Sequence, residues 1–274
     1  MPSPTTRQPT LFIPHGGGPC FFMEPAPGMP RDLWDGLAAY LKSIDKSLGQ
    51  RPKAVLVISG HWEMPRPTVN TAQNHTLLFD YYGFPEHTYR LTYPAHNSPE
   101  TVERIEALLS RAGYRAGEDP ERGLDHGVFV PFKLIYPDAD VPMIQLSLLA
   151  SLDPAAHVKL GQALAPLRDD GVLIVGSGMS FHNNRALFAQ AEQANAASVE
   201  FDDWLTATCT DADPERRNAR LADWENAPWG RFCHPREEHL LPLHVAAGAA
   251  GADVGRHVFS DKIVGKALSG YQFG

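Results

Sequence analysis

The sequence predicts an α/β fold: a single layered domain over residues 1–274 in which a central, mostly parallel or mixed sheet is flanked by helices. Two observations carry this expectation. Short apolar or β-branched runs alternate along the chain with longer amphipathic segments, the pattern left by strands joined through helices. One of those runs, Ala54-Val55-Leu56-Val57-Ile58, is apolar without interruption, as a strand covered on both faces must be. At 274 residues and 43% hydrophobic content the chain suffices for one substantial core, and no composition break forces a split.

Taken in order, residues 10–14, 53–59, 141–147 and 171–175 read as strands, and residues 33–48, 99–111, 154–167 and 190–209 as helices. The stretch from residue 61 to 99, rich in Pro, Gly and aromatics, is too long for an idle connection and reads as a wall of a site. A further helix over 237–250 is expected after His234-Pro235-Arg236, where proline suits a first turn, ending near Gly248 and Gly251. A strand around 257–260 and a short tail complete the sheet.

Composition narrows the function. The net charge is −8, and the 24 basic residues never form a run, which excludes the footprint of a nucleic-acid or anionic-membrane binder and points to a small-molecule partner. Three well-separated cysteines, Cys20, Cys209 and Cys233, without a CxxC pair, argue against a disulfide framework or a thiolate zinc site and suit a reducing cytoplasm. The first ten residues are polar and no apolar run approaches the roughly 20 residues that span a bilayer. The expectation is a cytoplasmic protein, monomeric or homodimeric.

Twelve histidines are many for this length. In open α/β sheets ligands bind beyond the carboxyl ends of the strands, and three histidines fall there. His15 follows the first strand and opens His-Gly-Gly-Gly-Pro; His61 lies in Ser-Gly-His-Trp-Glu; His182 lies in Gly-Ser-Gly-Met-Ser-Phe-His-Asn. One histidine after a strand is ordinarily a hydrogen-bonded structural residue. Three together, each beside glycines that let a metal approach closely, point to a metal site assembled from several loops. Neither Gly16-Gly17-Gly18 nor Gly176-Ser177-Gly178 continues into a phosphate-binding motif, and Ser177 lacks the frame of a hydrolase elbow.

A further donor lies in Glu238-His239-Leu240-Leu241-Pro242-Leu243-His244. On a helix, neighbours point about 100° apart and residues five apart about 140°, so Glu238, His239 and His244 cannot all face one metal. Either His239 supplies a nitrogen or Glu238 completes a two-histidine, one-carboxylate site, and helix geometry leaves both open. His244 then belongs to the core or to another surface. In Asp125-His126-Gly127, His126 is either a neighbour of a helix cap or a proton donor aimed into a cleft. His75, His87, His96, His234 and His257 stand in weaker contexts, and His157, on an amphipathic helix, reads as solvated.

These motifs, in order, are similar to those of the class III extradiol ring-cleavage dioxygenases, specifically the DOPA-dioxygenase-type branch. The resemblance covers nearly the whole chain. It runs through Pro14-His15-Gly16, Ser59-Gly60-His61-Trp62, Tyr82-Gly83-Phe84-Pro85, Tyr93-Pro94-Ala95, Gly123-Leu124-Asp125-His126-Gly127, Tyr136-Pro137-Asp138, Gln145-Leu146-Ser147, Gly176-Ser177-Gly178, His182-Asn183 and Glu238-His239-Leu240-Leu241-Pro242-Leu243. It implies metal ligation by His15, His61 and His239, with Glu238 in reserve, an acid/base role for His182 or a place close enough to count among the ligands, and a further active-site role for His126. Residues 16–23 and 179–181 depart from the DOPA-type pattern, and both flank the expected pocket, which leaves room for a different substrate on the same chemistry.

The expected activity is therefore oxygen-dependent ring opening of a catecholic aromatic, with Fe(II) needed for activity and Zn(II) able to fill the same histidines. Imidazole, with an ordinary pKa near about 6.5, suits proton transfer to and from a catechol. Trp62, Tyr81, Tyr82 and Phe84 are candidate walls for a planar ring, and Arg236 and Lys133 candidate partners for a substrate carboxylate. The competing readings are a zinc-dependent hydrolase and a non-catalytic metal- or aromatic-binding protein.

Overall fold

Eight strands carry the frame: β1 (Thr10–Pro14), β2 (Ala54–Met64), β3 (Thr68–Asn70), β4 (Gly117–Asp119), β5 (Met143–Leu149), β6 (Val172–Gly178), β7 (Gly255–Ile263) and β8 (Lys266–Phe273). This is a computed structural model, and it describes residues 7–187 and 191–274. The strands form one sheet in the order β4-β3-β5-β2-β6-β1-β8-β7. The four central strands run parallel. Strand β8 is antiparallel to β1 and to β7, and β3 is antiparallel to β5. The sheet is thus mixed, with a parallel centre.

The helices are α1 (Asp35–Ser47), α2 (Pro99–Arg111), α3 (His126–Ile135), α4 (Pro154–Leu164), α5 (Asn184–Leu187), α6 (Glu192–Cys209), α7 (Pro214–Ala222), α8 (Gly230–Cys233) and α9 (Leu241–Ala250). Strand pleating decides which helices cover which face. Val55 and Val57 pack with Leu37 and Leu41 of α1 and Phe129 and Phe132 of α3. Leu56 and Ile58, one residue out of phase, pack with Ile105 of α2, Leu160 of α4 and Val245 of α9. The uninterrupted apolar run of β2 is the consequence: both faces are dry, and each such side chain contributes about 1.5–3 kcal/mol by burial.

The expected helix 99–111 matches α2, 33–48 contains α1, and 154–167 is α4 followed by a 3-10 turn over Ala165–Arg168. The expected helix 190–209 is α6; its residue 190 lies outside the described residues. The expected strands 141–147 and 171–175 are Met143–Leu149 and Val172–Gly178, and two further shifts bear on the site. Strand β2 continues past Gly60 to Met64, its register with β5 shifting between Ile58 and Glu63, so His61 sits in an irregular strand end and not after it. The expected helix over 237–250 begins only at Leu241, because Pro242 and not Pro235 occupies its first turn. No helix among the described residues is long and apolar enough to cross a membrane.

His157 corrects an expectation: it is fully buried. Its Nδ1–H donates to the Asp153 carbonyl (2.7 Å) and its Nε2 accepts from the Leu149 N–H (3.0 Å), joining α4 to the end of β5. His244 is likewise a core residue, donating from Nε2 to the Leu221 carbonyl at 2.7 Å.

Candidate metal centre

Strands β1 and β6 end level with one another, beside the point where β2 leaves its pairing with β6 and turns irregular. Pro14 pairs with Gly178 and Ser59 with Ser177, and the His15 N–H donates to the Gly178 carbonyl at 3.1 Å. His15 therefore leaves β1 at the place where β6 ends, with His61 on the adjoining end of β2. The segment before α9 crosses the same edge: the Met179 N–H donates to the His239 carbonyl at 3.0 Å. This approach requires glycine, since a Cβ on Gly178 would stand 2.1 Å from that carbonyl oxygen. His126, as the first residue of α3, enters from the opposite face of the sheet.

All five sequence-predicted residues converge. His61 Nε2 lies 3.2 Å from His15 Nε2 and 3.2 Å from His239 Nε2. The His126 ring is centred 4.0 Å from that of His61 and 5.5 Å from that of His15. His182 stacks on His239 at 3.4 Å and 18°. Two donor sets with a metal-compatible spread result, His15 with His61 and His126, and His182 with Glu238 and His239, each within 4.8 Å. The 3.2 Å contact between His61 and His239 joins them.

The partners of the second ring nitrogens fix the tautomers. Ser177 Oγ has one proton, which it gives to the Gly127 carbonyl, so its 3.0 Å contact with His15 Nδ1 must be donated by the imidazole. His15 Nε2 is then a bare lone pair. His239 Nδ1 donates to Glu238 Oε1 at 3.0 Å, leaving its Nε2 bare as well. Both lone pairs point at His61 Nε2, which carries at most one proton and so can satisfy only one of them. A cation held among them would satisfy all three, and the two distances from His61 can be compared with ligand spacings. The spacing fits: two nitrogens about 2.1 Å from a common ion and about 100° apart lie about 3.2 Å from each other.

Glu238 Oε1 also receives His182 Nδ1 at 3.2 Å, so one carboxylate orients two stacked rings. Asp80 Oδ1 holds His126 through both its Nδ1 (2.8 Å) and its backbone N–H (3.0 Å), while Oδ2 stands 3.8 Å from His61 Nδ1. Behind them, buried Asp125 accepts from Ser59 (2.7 Å), Gln145 and Arg122 (3.2 Å), and Arg122 also reaches the His61 carbonyl at 3.1 Å. Such outer partners are what set ligand orientation in metal sites.

Burial is the first cause of the electrostatics here. It pushes His61 down to about 4 and holds His15 and His239 well below the usual imidazole range, with the neighbouring imidazoles adding to the effect. These rings are neutral donors at pH 7. Burial alone would raise the Glu238 and Asp80 carboxyls, but the bonds from His182 and His239 hold Glu238 far below the carboxylate range, and the bond from His126 lowers Asp80.

A cavity of about 390 Å³ opens in front of the cluster. Phe84 lines it, as expected of a ring wall, and Trp34, which sequence reasoning did not single out, lines it too. The other expected walls lie elsewhere. Trp62 is buried beneath the Arg122 guanidinium at 5.2 Å. Tyr81 is in the core, with its hydroxyl on the Thr88 carbonyl at 2.7 Å, and Tyr82 is exposed. Neither carboxylate candidate reaches the cavity: Lys133 donates to the Thr92 carbonyl and Arg236 pairs bidentately with Glu63.

Residues 9–273 match the family model described as the catalytic LigB subunit of aromatic ring-opening dioxygenase. The chain belongs to this family. The 4,5-DOPA dioxygenase extradiol of Beta vulgaris is 40% identical over 253 residues, covering 92% of this chain and 90% of that protein. The dioxygenase tasH of Hapsidospora irregularis is 37% identical over 97% of this chain and 85% of its own length. A crystal structure of an uncharacterized protein from Escherichia coli K12 superposes with a TM-score of 0.77 at 27% identity, covering 98% of this chain and all of that one. The family match therefore spans nearly every described residue.

Proposed function

We propose that the chain is one catalytic unit, a non-haem metal-dependent extradiol dioxygenase that opens the ring of a catechol-type substrate with O2. Its metal ligands are His15, His61 and His239, with His182 as acid/base and His126 as a second active-site histidine. The observation that carries this reading is the convergence of three Nε2 atoms at 3.2 Å contacts, two of them with their Nδ1–H tied off on Ser177 and Glu238.

Iron(II) bound by these nitrogens would supply the redox partner for dioxygen and lower the pKa of the catechol hydroxyls; Zn(II) fits the same donors. His182 keeps its Nδ1–H on Glu238, so its Nε2 is free to take a phenolic proton and return it during ring opening. His126, with Nδ1 on Asp80, turns its Nε2 edge to a substrate oxygen. Phe84 and Trp34 flank the ring and keep water away.

The test is anaerobic loading with Fe(II), then addition of a catechol and oxygen, followed by oxygen uptake and the yellow colour of a ring-opened product. His182→Gln and His126→Ala should keep metal while turnover falls at least about 100-fold; His239→Ala should lose metal. Turnover without oxygen would establish hydrolysis instead. Metal lost from His182→Gln but kept in His239→Ala would reverse the two assignments.

A further inference from the structure

The wall of the cavity in front of the histidines contains no Asp, Glu, Lys or Arg among the described residues. Beyond the cluster its surface is apolar, built by Met23, Met29, Leu33 and Trp34 from the segment between β1 and α1, with Phe84 and Phe181 opposite. Its polar groups are uncharged, chiefly Asn183 and Asn184, and the Asn183 amide already donates to the Phe232 carbonyl at 2.7 Å. Arg185 and Arg236 line an adjoining cavity that shares His182, Asn183 and Asn184 with this one, and there Arg236 is held by Glu63. The two nearby carboxylates, Asp80 and Glu238, are engaged by histidines. A cavity of roughly 150 Å³ takes a benzene ring, so the 390 Å³ here leaves more than half for a ring substituent.

From this wall we infer that the substrate is an electrically neutral catechol whose substituent is apolar and lies against Met23, Met29, Leu33 and Trp34, and that catechols with a carboxylate or amino-acid arm are rejected. The inference rests on the dioxygenase reading and specifies its substrate. An ionised carboxylate laid against this wall loses its water and meets no cationic side chain there, which is costly, whereas each methylene laid on the wall gains about fourfold in binding. DOPA carries both a carboxylate and an ammonium group, so the substrate named for the Beta vulgaris relative is a poor match to this cavity.

The experiment has two arms on the metal-loaded protein. In the first, kcat/KM is measured by oxygen uptake for 4-methyl-, 4-propyl- and 4-hexylcatechol, for L-DOPA, and for 3-(3,4-dihydroxyphenyl)propanoic acid against its methyl ester. The expected result is a rise with chain length and an acid at least 100-fold below its ester. Ala26→Arg, which adds a cation on the exposed rim of the cavity, should narrow that gap at least tenfold. L-DOPA or the free acid matching the neutral catechols overturns the inference.

The second arm needs no turnover. 4-Hexylresorcinol has no adjacent hydroxyls to chelate or cleave, and its binding is followed through the tryptophan fluorescence that Trp34→Phe removes. Binding at least tenfold tighter than that of resorcinol supports the apolar wall even if no catechol is cleaved, in which case the dioxygenase reading alone falls. Equal binding of the two overturns the inference whatever the turnover.

Discussion

Replacing Ser177 with alanine tests the tautomer argument on which the metal site rests. Ser177 is fully buried, and its hydroxyl serves two groups, donating to the Gly127 carbonyl and accepting from His15 Nδ1–H at 3.0 Å. Ser177→Ala leaves both without partners, at about 1–3 kcal/mol for each buried group, so the metal-free protein should lose about 2–6 kcal/mol in urea unfolding. His15 can relieve its part of that loss by moving its proton to Nε2, but that blocks the atom that faces the metal. Metal affinity, read by competition with a chelator of known strength, should therefore fall about 10–100-fold. Thr10→Val is the control, since it removes an equally buried hydroxyl, bonded to the Ala246 carbonyl at 2.8 Å at the opposite end of β1 from His15. It should cost stability with little change in metal affinity. If Ser177→Ala loses stability yet binds metal within twofold of the unaltered protein, the hydroxyl is merely structural and the reasoning about His15 is wrong.

Glu238→Gln keeps an acceptor for the two Nδ1–H groups but removes the charge, so metal affinity should fall in the order unaltered, Glu238→Gln, Glu238→Ala, with a total span of about 10–100-fold; a glutamine variant as weak as the alanine one refutes the hydrogen-bond account. Gly178→Ala puts a Cβ 2.1 Å from the His239 carbonyl, and the shift it forces should cost about 1–3 kcal/mol and lower the metal content after gel filtration; full metal content would show that the crossing is not tight. In acid the metal-free protein should weaken. Burial depresses His244 to about 4 and His234 to about 3, so both are neutral in the fold and no stability is lost above about pH 6.5. Below that the unfolded chain takes up protons that the fold refuses, and stability falls by about 1.4 kcal/mol per pH unit for each residue down to its folded pKa. The urea midpoint measured with chelator between pH 7 and 5 checks this, and a flat profile contradicts it.

How much of this was legible in the sequence differs from residue to residue for physical reasons. His15 and His61 follow apolar runs and touch glycine, so the strand-end rule finds them from local order alone. His239 is different. Helix geometry left it level with Glu238, because both were assumed to lie on a helix that in fact begins at Leu241, and only the family resemblance favoured it. Helix α3 left no periodic signal, since nearly every residue in it is buried and an all-round apolar segment has no polar stripe. His157 was misread for another reason: it lies on the buried face of a helix that also has exposed residues, and a polar residue on such a face reads as solvated. Asp80 and Ser177 were not identified as partners, because their roles depend on contacts with His126, 46 residues away, and with His15, 162 residues away. The nearest sequence signal for Asp80 was the unusual length of the 61–99 stretch.

Those distant contacts also explain why fold and site are coupled. Four of the five candidate ligand or active-site rings are held through Nδ1 by a group on another stretch of chain or by a neighbour pinned against β6: Ser177 from β6 for His15, Asp80 for His126, and Glu238 for His239 and His182. Packing of the strand ends therefore chooses the tautomers, and the bare Nε2 atoms exist only while that packing lasts. Burial keeps His15, His61 and His239 uncharged at neutral pH, so a metal entering the cluster there has few protons to displace. It also means that acid favours the unfolded chain, where each of these imidazoles can be protonated. A metal bound to the three nitrogens opposes both effects, since it occupies the lone pairs and stabilises the native state by mass action. The acid sensitivity of the metal-free protein should thus shrink as metal is added, and by more in the unaltered protein than in Ser177→Ala, where the His15 lone pair is no longer held in place.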